Sequence, residues 1–332
     1  MSDWFKLPEK TRIEIFNQVG VQNGLPATAI EKDWWVSLAL RVVFSLPFSN
    51  HIVFKGGTSL SKGWNLIDRF SEDIDLAIDR GYLGFSEKIS KSGVKRLRKA
   101  SCKFVSHEFL NSIESRLKEL EIPIKNLAIR EFNDSDTDPL IIELYYKSIT
   151  EKSDYLLPRI LFEVGARSLI EPYEKRPIQS MVGMRYKDQK FADPASSIPT
   201  VLPERTFLEK VFLLHEEFQK NPKKIRVARL SRHLYDLEKL MSTEHGLNAI
   251  FDKKLYDAIV THRSLFNPIK GVDYKNHSPS KIDFIPPKEI IGAWEKDYST
   301  MRESMIYGET LSFEKLIERL KELRVQFRSI KV

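Results

Sequence analysis

The stretch FKGGTSLSKGWNLIDRFSEDIDLAID, residues 54–79, carries the strongest structural signal in the sequence. It begins at the end of a short apolar run, His51 to Phe54, which predicts a buried strand. Gly56 and Gly57 follow, in a chain with only 14 glycines among 332 residues. A glycine pair between a strand and a helix lets the backbone approach a phosphate closely, so the pair predicts a nucleotide-binding turn.

The residues after the glycine pair predict a helix. Its apolar face consists of residues at helical spacing, Leu60, Trp64 and Ile67. Thr58 or Ser59 is the expected N-cap. Amide groups in the first turn of such a helix point toward a bound anion. The two hydroxyl residues and Lys62 therefore join the glycines as candidate nucleotide-binding residues.

Carboxylates alternate with aliphatic residues in the last part of the stretch. The segment from Asp73 to Asp79 predicts a strand whose core side is formed by Ile74, Leu76 and Ile78. Asp73 and Asp75 then point the same way, and a cation between them relieves their repulsion. Mg²⁺ accepts carboxylate and triphosphate oxygens together, so the whole stretch predicts a site for a nucleotide and a metal ion.

Two other motif types do not fit these residues. A Walker A loop is excluded because Lys62 precedes Gly63 instead of following a glycine, and an EF-hand loop is excluded because it needs more oxygen ligands. Two alternatives stay open: a metal site for sugar nucleotides, as in glycosyltransferases, and a simple exposed strand end.

The composition is that of an ordinary globular protein with a moderate net charge of +7. The single cysteine, Cys102, excludes an internal disulfide framework. With no signal peptide and no long apolar run, we expect a soluble cytoplasmic protein that does not insert into membranes. Two basic clusters, Glu87 to Lys103 and Lys220 to Arg232, can bind phosphates or form solvated surface.

The rest of the pattern predicts an α+β fold with a mixed α/β first part and an all-helical second part. Further strands are predicted at Leu127–Phe132, Leu140–Tyr146 and Arg159–Ala166. Helices are predicted at Thr11–Phe48 with a break at Gly24, and at Phe109–Leu120, Arg205–Phe218, Ser231–Met241, Pro287–Tyr307 and Phe313–Phe327. Proline and glycine predict linkers at Pro194–Pro203 and Asn267–Pro287.

Four segments in the same order resemble the AbiEii/AbiGii toxin family of the nucleotidyltransferase superfamily, whose mycobacterial relatives are called MenT toxins. They are IEKDWW (from Ile30), KGGTSLSK with RFSEDIDL, RTFLEK (from Arg205) and SRHLYDL (from Ser231). The resemblance implies a minimal, polymerase-β-like nucleotidyltransferase domain with N-terminal helices in residues 1–200. It also implies a helical domain in residues 201–332 that carries Lys210 and Asp236.

Two-metal phosphoryl chemistry requires at least two and usually three carboxylates. Asp73 and Asp75 supply two, and the family's E-x-G pattern implies Glu163 as the third. Glu143 has nearly the same sequence surroundings and remains an alternative. Ser71 matches the family's S-x-D-x-D pattern and is expected to support the metal-binding strand.

The resemblance also implies roles in the helical part. Lys210 lies off the apolar stripe of its helix and is expected to contact the β- and γ-phosphates. Asp236 is the family's further essential carboxylate, which either orients Lys210 or accepts a proton from the attacking hydroxyl. Arg229 and Arg232 are expected to bind triphosphate or the acceptor backbone. Glu31, Lys32 and Asp33 of the E-K-D motif are interpreted as packing residues, with Trp34 and Trp35.

By this resemblance the chain is a toxin of a toxin–antitoxin or abortive-infection system that acts in phage defence. It would transfer a nucleoside monophosphate from an NTP to RNA, in particular the 3′ end of tRNA, with Mg²⁺ or Mn²⁺ as cofactor, and so arrest translation. A cognate antitoxin is the expected protein partner. The alternatives are a nucleotidyltransferase for a small molecule or a protein, and a non-catalytic binding module of the same fold.

Overall fold

The structure is a computed structural model that describes residues 2–71, 73–86, 89–151 and 156–330. Glu72 of the RFSEDIDL segment, and Glu87 and Lys88 of the first basic cluster, lie outside the described residues. The described residues form two compact units. The sheet unit lies within Met1–Trp64 and Phe70–Val201, and the helical unit within Asn65–Arg69 and Leu202–Val332.

The sheet unit contains a seven-stranded mixed sheet in its described part. The strands are β1 (Ile52–Lys55), β2 (Asp73–Ile78), β3 (Asn126–Ile129), β4 (Leu140–Tyr145), β5 (Arg159–Gly165), β6 (Tyr173–Ile178) and β7 (Ser196–Val201). Their order is β3-β4-β5-β2-β1-β7-β6. The pairs β1–β7 and β2–β5 are parallel, whereas the other four are antiparallel. The predicted α+β class with a mixed sheet is confirmed.

One face of the sheet is buried because aliphatic and aromatic residues occupy every second position of its central strands. In β5, the side chains of Ile160, Phe162 and Val164 are fully buried, while the alternate residues Leu161 and Glu163 are half-buried. β2 repeats the pattern, with Ile74 and Leu76 buried. The half-buried face of the sheet is therefore the one on which β2 and β5 present their carboxylates.

Seven helices surround the sheet in the described part of this unit: α1 (Ser2–Lys6), α2 (Glu9–Asn23), α3 (Ala27–Val43), α4 (Gly56–Lys62), α5 (Lys91–Phe104), α6 (Leu110–Glu119) and α7 (Met181–Arg185). A π-helical turn, Val105–Phe109, joins α5 to α6. The helix α3 is buried over most of its length. Trp34 stacks on Trp4 with ring centroids 5.1 Å apart, and Trp35 stacks on Tyr146 at 4.6 Å, so both tryptophans are packing residues as predicted.

Helix α4 is shorter than predicted. It ends at Lys62, so Trp64 and Ile67 are not on its face. Asn65 adopts a left-handed backbone conformation with φ 53°, which asparagine tolerates and which ends helical geometry. The prediction of Thr58 or Ser59 as N-cap was also wrong, because both lie inside the helix and Lys55 is the N-cap.

The predicted linker Pro194–Pro203 was wrong as well. It contains β7, which pairs with β1 on one side and β6 on the other. Ile198 and Val201 of this strand are fully buried, and the burial of their side chains outweighs the unfavourable presence of Pro199. The following helix begins at Pro203, where proline is favourable because the first turn needs no amide donor.

The helical unit consists of α8 (Pro203–Phe218), α9 (Ser231–Met241), α10 (Glu244–Phe251), α11 (Lys253–Phe266), α12 (Ile291–Ser304) and α13 (Phe313–Ser329), with the short segment Asn65–Arg69. Its core includes fully buried side chains from α8 and α13, such as Phe207, Val211, Leu320 and Phe327. Among the described residues, none of the helices is both long enough and apolar enough to cross a bilayer.

Candidate active site

The glycine turn at the start of α4 lies directly against a predicted metal ligand. Gly56 has φ 82°, a conformation that side chains rarely adopt. A Cβ at this position would lie only 1.9 Å from Asp75 Oδ2. The absence of a side chain at Gly56 therefore allows the turn and the carboxylate of Asp75 to occupy adjacent space. Gly57 follows in the first turn of the helix.

The hydroxyl groups of this region attach α4 to the beginning of β2. Thr58 is fully buried, and its hydroxyl donates to the carbonyl oxygen of Asp73 at 2.5 Å and lies 2.9 Å from Ser71 Oγ. Ser59 donates to the carbonyl of Gly56 at 2.8 Å. These contacts join the start of α4 to the start of β2. The support of a metal-binding strand by Ser71 stays a prediction.

Three predicted metal ligands lie on one face of the sheet. Asp73 and Asp75 are two residues apart on β2, and Glu163 is the direct cross-strand neighbour of Asp75 on the parallel strand β5. Lys55 of β1 is the neighbour of Asp75 on the other side. Registered residues of adjacent strands share a face, so this row joins two carboxylates and one ammonium group.

These oxygen donors suit a hard divalent cation, and the carboxylate of Asp75 lies directly against the glycine turn. Within the part of the chain that the structure describes, however, no three His, Cys, Asp or Glu side chains form a ready-made metal-binding group. The metal site at Asp73, Asp75 and Glu163 thus stays a prediction whose chemistry fits the residues present.

The alternative third carboxylate, Glu143, is engaged elsewhere. It pairs with Arg130 at 2.6 Å and Arg159 at 3.2 Å, and it accepts a hydrogen bond from the hydroxyl of Tyr145 at 2.6 Å. Burial acts to raise the pKa of Glu143, but the hydrogen bonds and the two arginines produce a net lowering. Its cross-strand neighbour on β5 is Leu161, so Glu143 is one strand further from β2 than Glu163 is.

The E-K-D motif attaches α3 to three parts of the sheet unit. Glu31 accepts hydrogen bonds from Ser148 Oγ at 2.7 Å and from the amide of Ile149 at 2.9 Å. Lys32 donates to the carbonyl of Leu157 at 2.6 Å. The packing role predicted for this motif is confirmed by these buried contacts.

Asp33 forms an ion pair with Lys62 and accepts from the amide of Met181 at 2.8 Å. The ammonium group of Lys62 thus contacts α3 in this structure. A direct contact of Lys62 with a nucleotide stays a prediction.

In the helical unit, Lys210 and Asp236 form a buried ion pair, with Lys210 Nζ 2.8 Å from Asp236 Oδ2. Arg69 donates to both carboxylate oxygens of Asp236, from Nε and from one terminal nitrogen, at 2.7 Å each. His233 Nδ1 lies 3.4 Å from Lys210 Nζ. We call these four residues the Asp236 cluster. The guanidinium group of Arg69 and the ammonium group of Lys210 therefore share the single carboxylate of Asp236.

The cluster changes the protonation behaviour of its members. Burial disfavours the charge of Asp236, but the charges of Arg69 and Lys210 hold the pKa of its carboxyl far below the ordinary value. Burial lowers the pKa of Lys210, Asp236 opposes this effect, and Arg69 and Arg232 add to the lowering. Burial and the charge of Lys210 likewise put the pKa of His233 well below its usual value.

The start of α9 is fixed by Asp297 from α12. The carboxylate of Asp297 accepts the amide of Arg229 at 2.7 Å and both the amide and the hydroxyl of Ser231, at 3.0 and 2.5 Å. Arg229 has φ 62°, and these bonds offset the strain of that conformation. The side chain of Arg229 is exposed and that of Arg232 is half-buried.

Sequence patterns did not single out Arg69, Lys55 or Asp297. Arg69 immediately precedes Phe70 and Ser71 in the RFSEDIDL segment, and that position beside a predicted catalytic motif is the only signal that could have found it. Its contact with Asp236 joins residues 167 positions apart. A contact between residues so far apart in the chain leaves no periodic pattern in the local sequence.

Comparison with known proteins identifies the group to which the chain belongs. Residues 40–319 match the AbiEii nucleotidyltransferase toxins of type IV toxin–antitoxin systems. The chain belongs to the AbiEii family. The family resemblance predicted from four motifs is confirmed, and the protein is a nucleotidyltransferase toxin of that class. No curated protein matches the chain.

Two solved structures are similar to this member of the AbiEii family. MenT4, a nucleotidyltransferase toxin from Mycobacterium tuberculosis, superposes with a TM-score of 0.55 at 16% sequence identity, over 96% of this chain and 90% of MenT4. This likeness supports the fold. JHP933 from Helicobacter pylori has a TM-score of 0.41 at 15% identity, over 87% of this chain and 89% of that one.

Proposed function

We propose that this AbiEii-family toxin transfers a nucleoside monophosphate from an NTP to the 3′ end of tRNA and thereby blocks translation. In the transfer, an acceptor hydroxyl attacks the α-phosphorus, the bond to the bridging oxygen breaks and pyrophosphate leaves. The proton of the hydroxyl passes to a base or to solvent. A cognate antitoxin would restrain the activity until it is required, as in an abortive-infection response.

The observation that carries the proposal is the contact between the glycine turn and the D-x-D strand. Gly56 leaves room for the Asp75 carboxylate, and Thr58 and Ser71 fix the start of the same strand. A backbone turn without side chains beside registered carboxylates is suited to a triphosphate with its counterion.

Asp73 and Asp75, together with Glu163, are the residues that would hold a divalent metal such as Mg²⁺ or Mn²⁺. When bound, the metal would neutralise phosphate charge and lower the pKa of the attacking hydroxyl. Glu143 is a weaker candidate because its oxygens already serve two arginines and a tyrosine.

For Asp236 we propose an orienting role. A carboxylate whose pKa is held far below its ordinary value is a poor acceptor for a proton, so its function as general base is disfavoured. It instead fixes Lys210 and Arg69 at 2.8 and 2.7 Å. With Lys210 protonated, these three side chains carry a net positive charge, which suits the binding of a phosphate by Lys210.

The test is transfer from each of four labelled NTPs to tRNA, with and without Mg²⁺, by wild type and Asp73→Ala. We expect label in the tRNA only with wild type and metal, and loss of toxicity in the variant. Label in a small molecule or a protein instead of RNA would refute the proposed acceptor. Toxicity that survives in Asp73→Ala would refute catalysis by this site.

A further inference from the structure

The exposed side of helix α5 is basic. Its sequence, KSGVKRLRKASCKF, contains no acidic residue. Its exposed cations are Lys91, Lys95, Arg96, Lys99 and Lys103, which we call the lysine ridge. Four of them recur at every fourth position and so form a row along one side of the helix.

The orientation of the lysine ridge is fixed by the opposite side of the helix. Val94, Leu97, Cys102 and Phe104 are buried in the sheet unit. Ser90 caps the first turn by accepting the amide of Gly93 at 3.2 Å. The charged row therefore faces solvent because the apolar face is anchored.

Within the described part of the chain, the ridge lacks the counter-charges that a solvated helix surface usually carries. Among the described residues, no carboxylate forms an ion pair with any of its five cations. The half-buried Arg98, which is not part of the ridge, instead contacts Asp136, with nitrogen and oxygen 3.6 Å apart. Like charges four residues apart destabilise a helix, so a ligand that supplies negative charge at the same spacing would stabilise it.

The helix is also attached to the strand that carries Glu163. Ser101 Oγ donates to Asp138 Oδ1 at 2.6 Å, and the same oxygen accepts the amide of Ala166 at 3.0 Å. Ala166 follows Glu163 by three residues, which corresponds to about 10 Å of extended chain. Helix α5 is thus attached to the sheet unit just beyond the end of the strand that carries Glu163.

We propose that the lysine ridge binds the sugar–phosphate backbone of the RNA acceptor, an inference that rests on the proposed function. Successive lysines along the row are about 6 Å apart, because each residue of an α-helix advances about 1.5 Å. This step is comparable with the distance between neighbouring phosphates of one RNA strand. Contacts with phosphates position a nucleic acid without reading its sequence.

An RNA backbone fits this surface better than a protein does. Every exposed residue of α5 is a lysine, an arginine or a serine, and none is aromatic or aliphatic. Protein interfaces are depleted in lysine and enriched in aromatic residues at their centres. The ridge has the opposite composition, which favours the binding of a polyanion over that of a protein.

The test compares two triple variants with the same change of charge. Lys95→Gln/Lys99→Gln/Lys103→Gln neutralises the ridge, and Lys296→Gln/Lys315→Gln/Lys321→Gln neutralises three exposed lysines of α12 and α13 as a matched control. Binding of fluorescein-labelled unfractionated tRNA is measured by anisotropy at low and high salt, and thermal unfolding confirms that both variants fold.

Each lost phosphate contact reduces the slope of log K against log salt by about 0.7 to 0.9. From about 50 to about 200 mM salt, wild type and control should therefore lose about 20- to 40-fold more affinity than the ridge variant. In transfer assays the ridge variant should show a raised KM for tRNA with the KM for NTP and kcat unchanged.

Equal tRNA affinity and salt dependence in the two triple variants would overturn the ridge proposal, as would a wild type that binds no tRNA. Transfer to RNA with a normal KM in the ridge variant would overturn the ridge alone and leave the proposed function intact. Ridge-dependent tRNA binding by a wild type that transfers no nucleotide would instead refute the proposed function and retain the ridge.

Discussion

Replacing Gly56 with alanine should impair catalysis much more than it impairs folding. The new methyl carbon would lie 1.9 Å from Asp75 Oδ2 and 2.7 Å from Cγ. Relief of this clash requires the carboxylate to move by about 1.5 Å to reach ordinary contact distance. The strain of φ 82° costs about 1 to 3 kcal/mol of stability. A displacement of this size at a reacting centre reduces the transfer rate about 100-fold or more.

Gly24→Ala is the matched control for this change. Gly24 ends α2 with φ 66°, and no described atom lies within 4 Å of an added Cβ. The substitution Gly24→Ala therefore introduces backbone strain of about 1 to 2 kcal/mol without displacing a candidate metal ligand. Urea unfolding should show a loss of stability in both variants, whereas labelled-NTP transfer should fall only in Gly56→Ala.

A double-mutant cycle isolates the clash independently of activity. In an Asp75→Ala background the two closest atoms are removed, and the Asp75 Cβ lies 3.1 Å from the added methyl group. Most of the excess stability loss of Gly56→Ala over Gly24→Ala should then disappear. If Gly56→Ala unfolds like Gly24→Ala and keeps wild-type transfer, the contact between turn and carboxylate has no functional role.

Three further predictions concern carboxylates. Asp236→Asn leaves Arg69 and Lys210 buried without their carboxylate, so urea unfolding should show a loss of about 3 to 5 kcal/mol; a loss below about 1 kcal/mol would contradict it. Because folding lowers the pKa of Asp236, its stabilisation is present above the ordinary carboxyl pKa of about 4 and lost as pH falls below it. Acid titration of stability should thus be steeper in wild type than in Asp236→Asn. Glu163→Gln should reduce transfer about 100-fold, whereas Glu143→Gln should reduce stability and spare transfer; the reverse pattern would make Glu143 the third metal ligand.

Apolar periodicity predicted the parts of the fold that bury one regular face. The alternation of Ile74, Leu76 and Ile78 predicted β2, and the helical stripe from Ser231 to Met241 matches α9. Apolar periodicity failed where a strand is stabilised by burial against, or pairing with, residues that are distant in the sequence. β6 has a mostly exposed polar sequence and depends on its antiparallel partner β7. β7 contains Pro199, and in the sequence alone, without knowledge of the neighbouring strands, this proline indicates a linker.

The residues of the candidate site likewise include some that the sequence could predict and some that it could not. Asp73 and Asp75 were predictable because a strand's alternation alone places them on one face. The family pattern implied Glu163 as the third carboxylate, whereas its register beside Asp75 and the arginines around Glu143 are visible only in the folded chain. The pairing of Arg69 with Asp236 was unpredictable, because only the folded chain brings these positions together.

The segment Asn65–Arg69 belongs to the helical unit although both of its neighbours in the chain belong to the sheet unit. A fragment that begins at Leu202 therefore lacks part of the helical unit, since residues 202–332 would carry Asp236 without Arg69. Each unit is thus built from two separate segments of the chain, and neither corresponds to one continuous stretch of sequence.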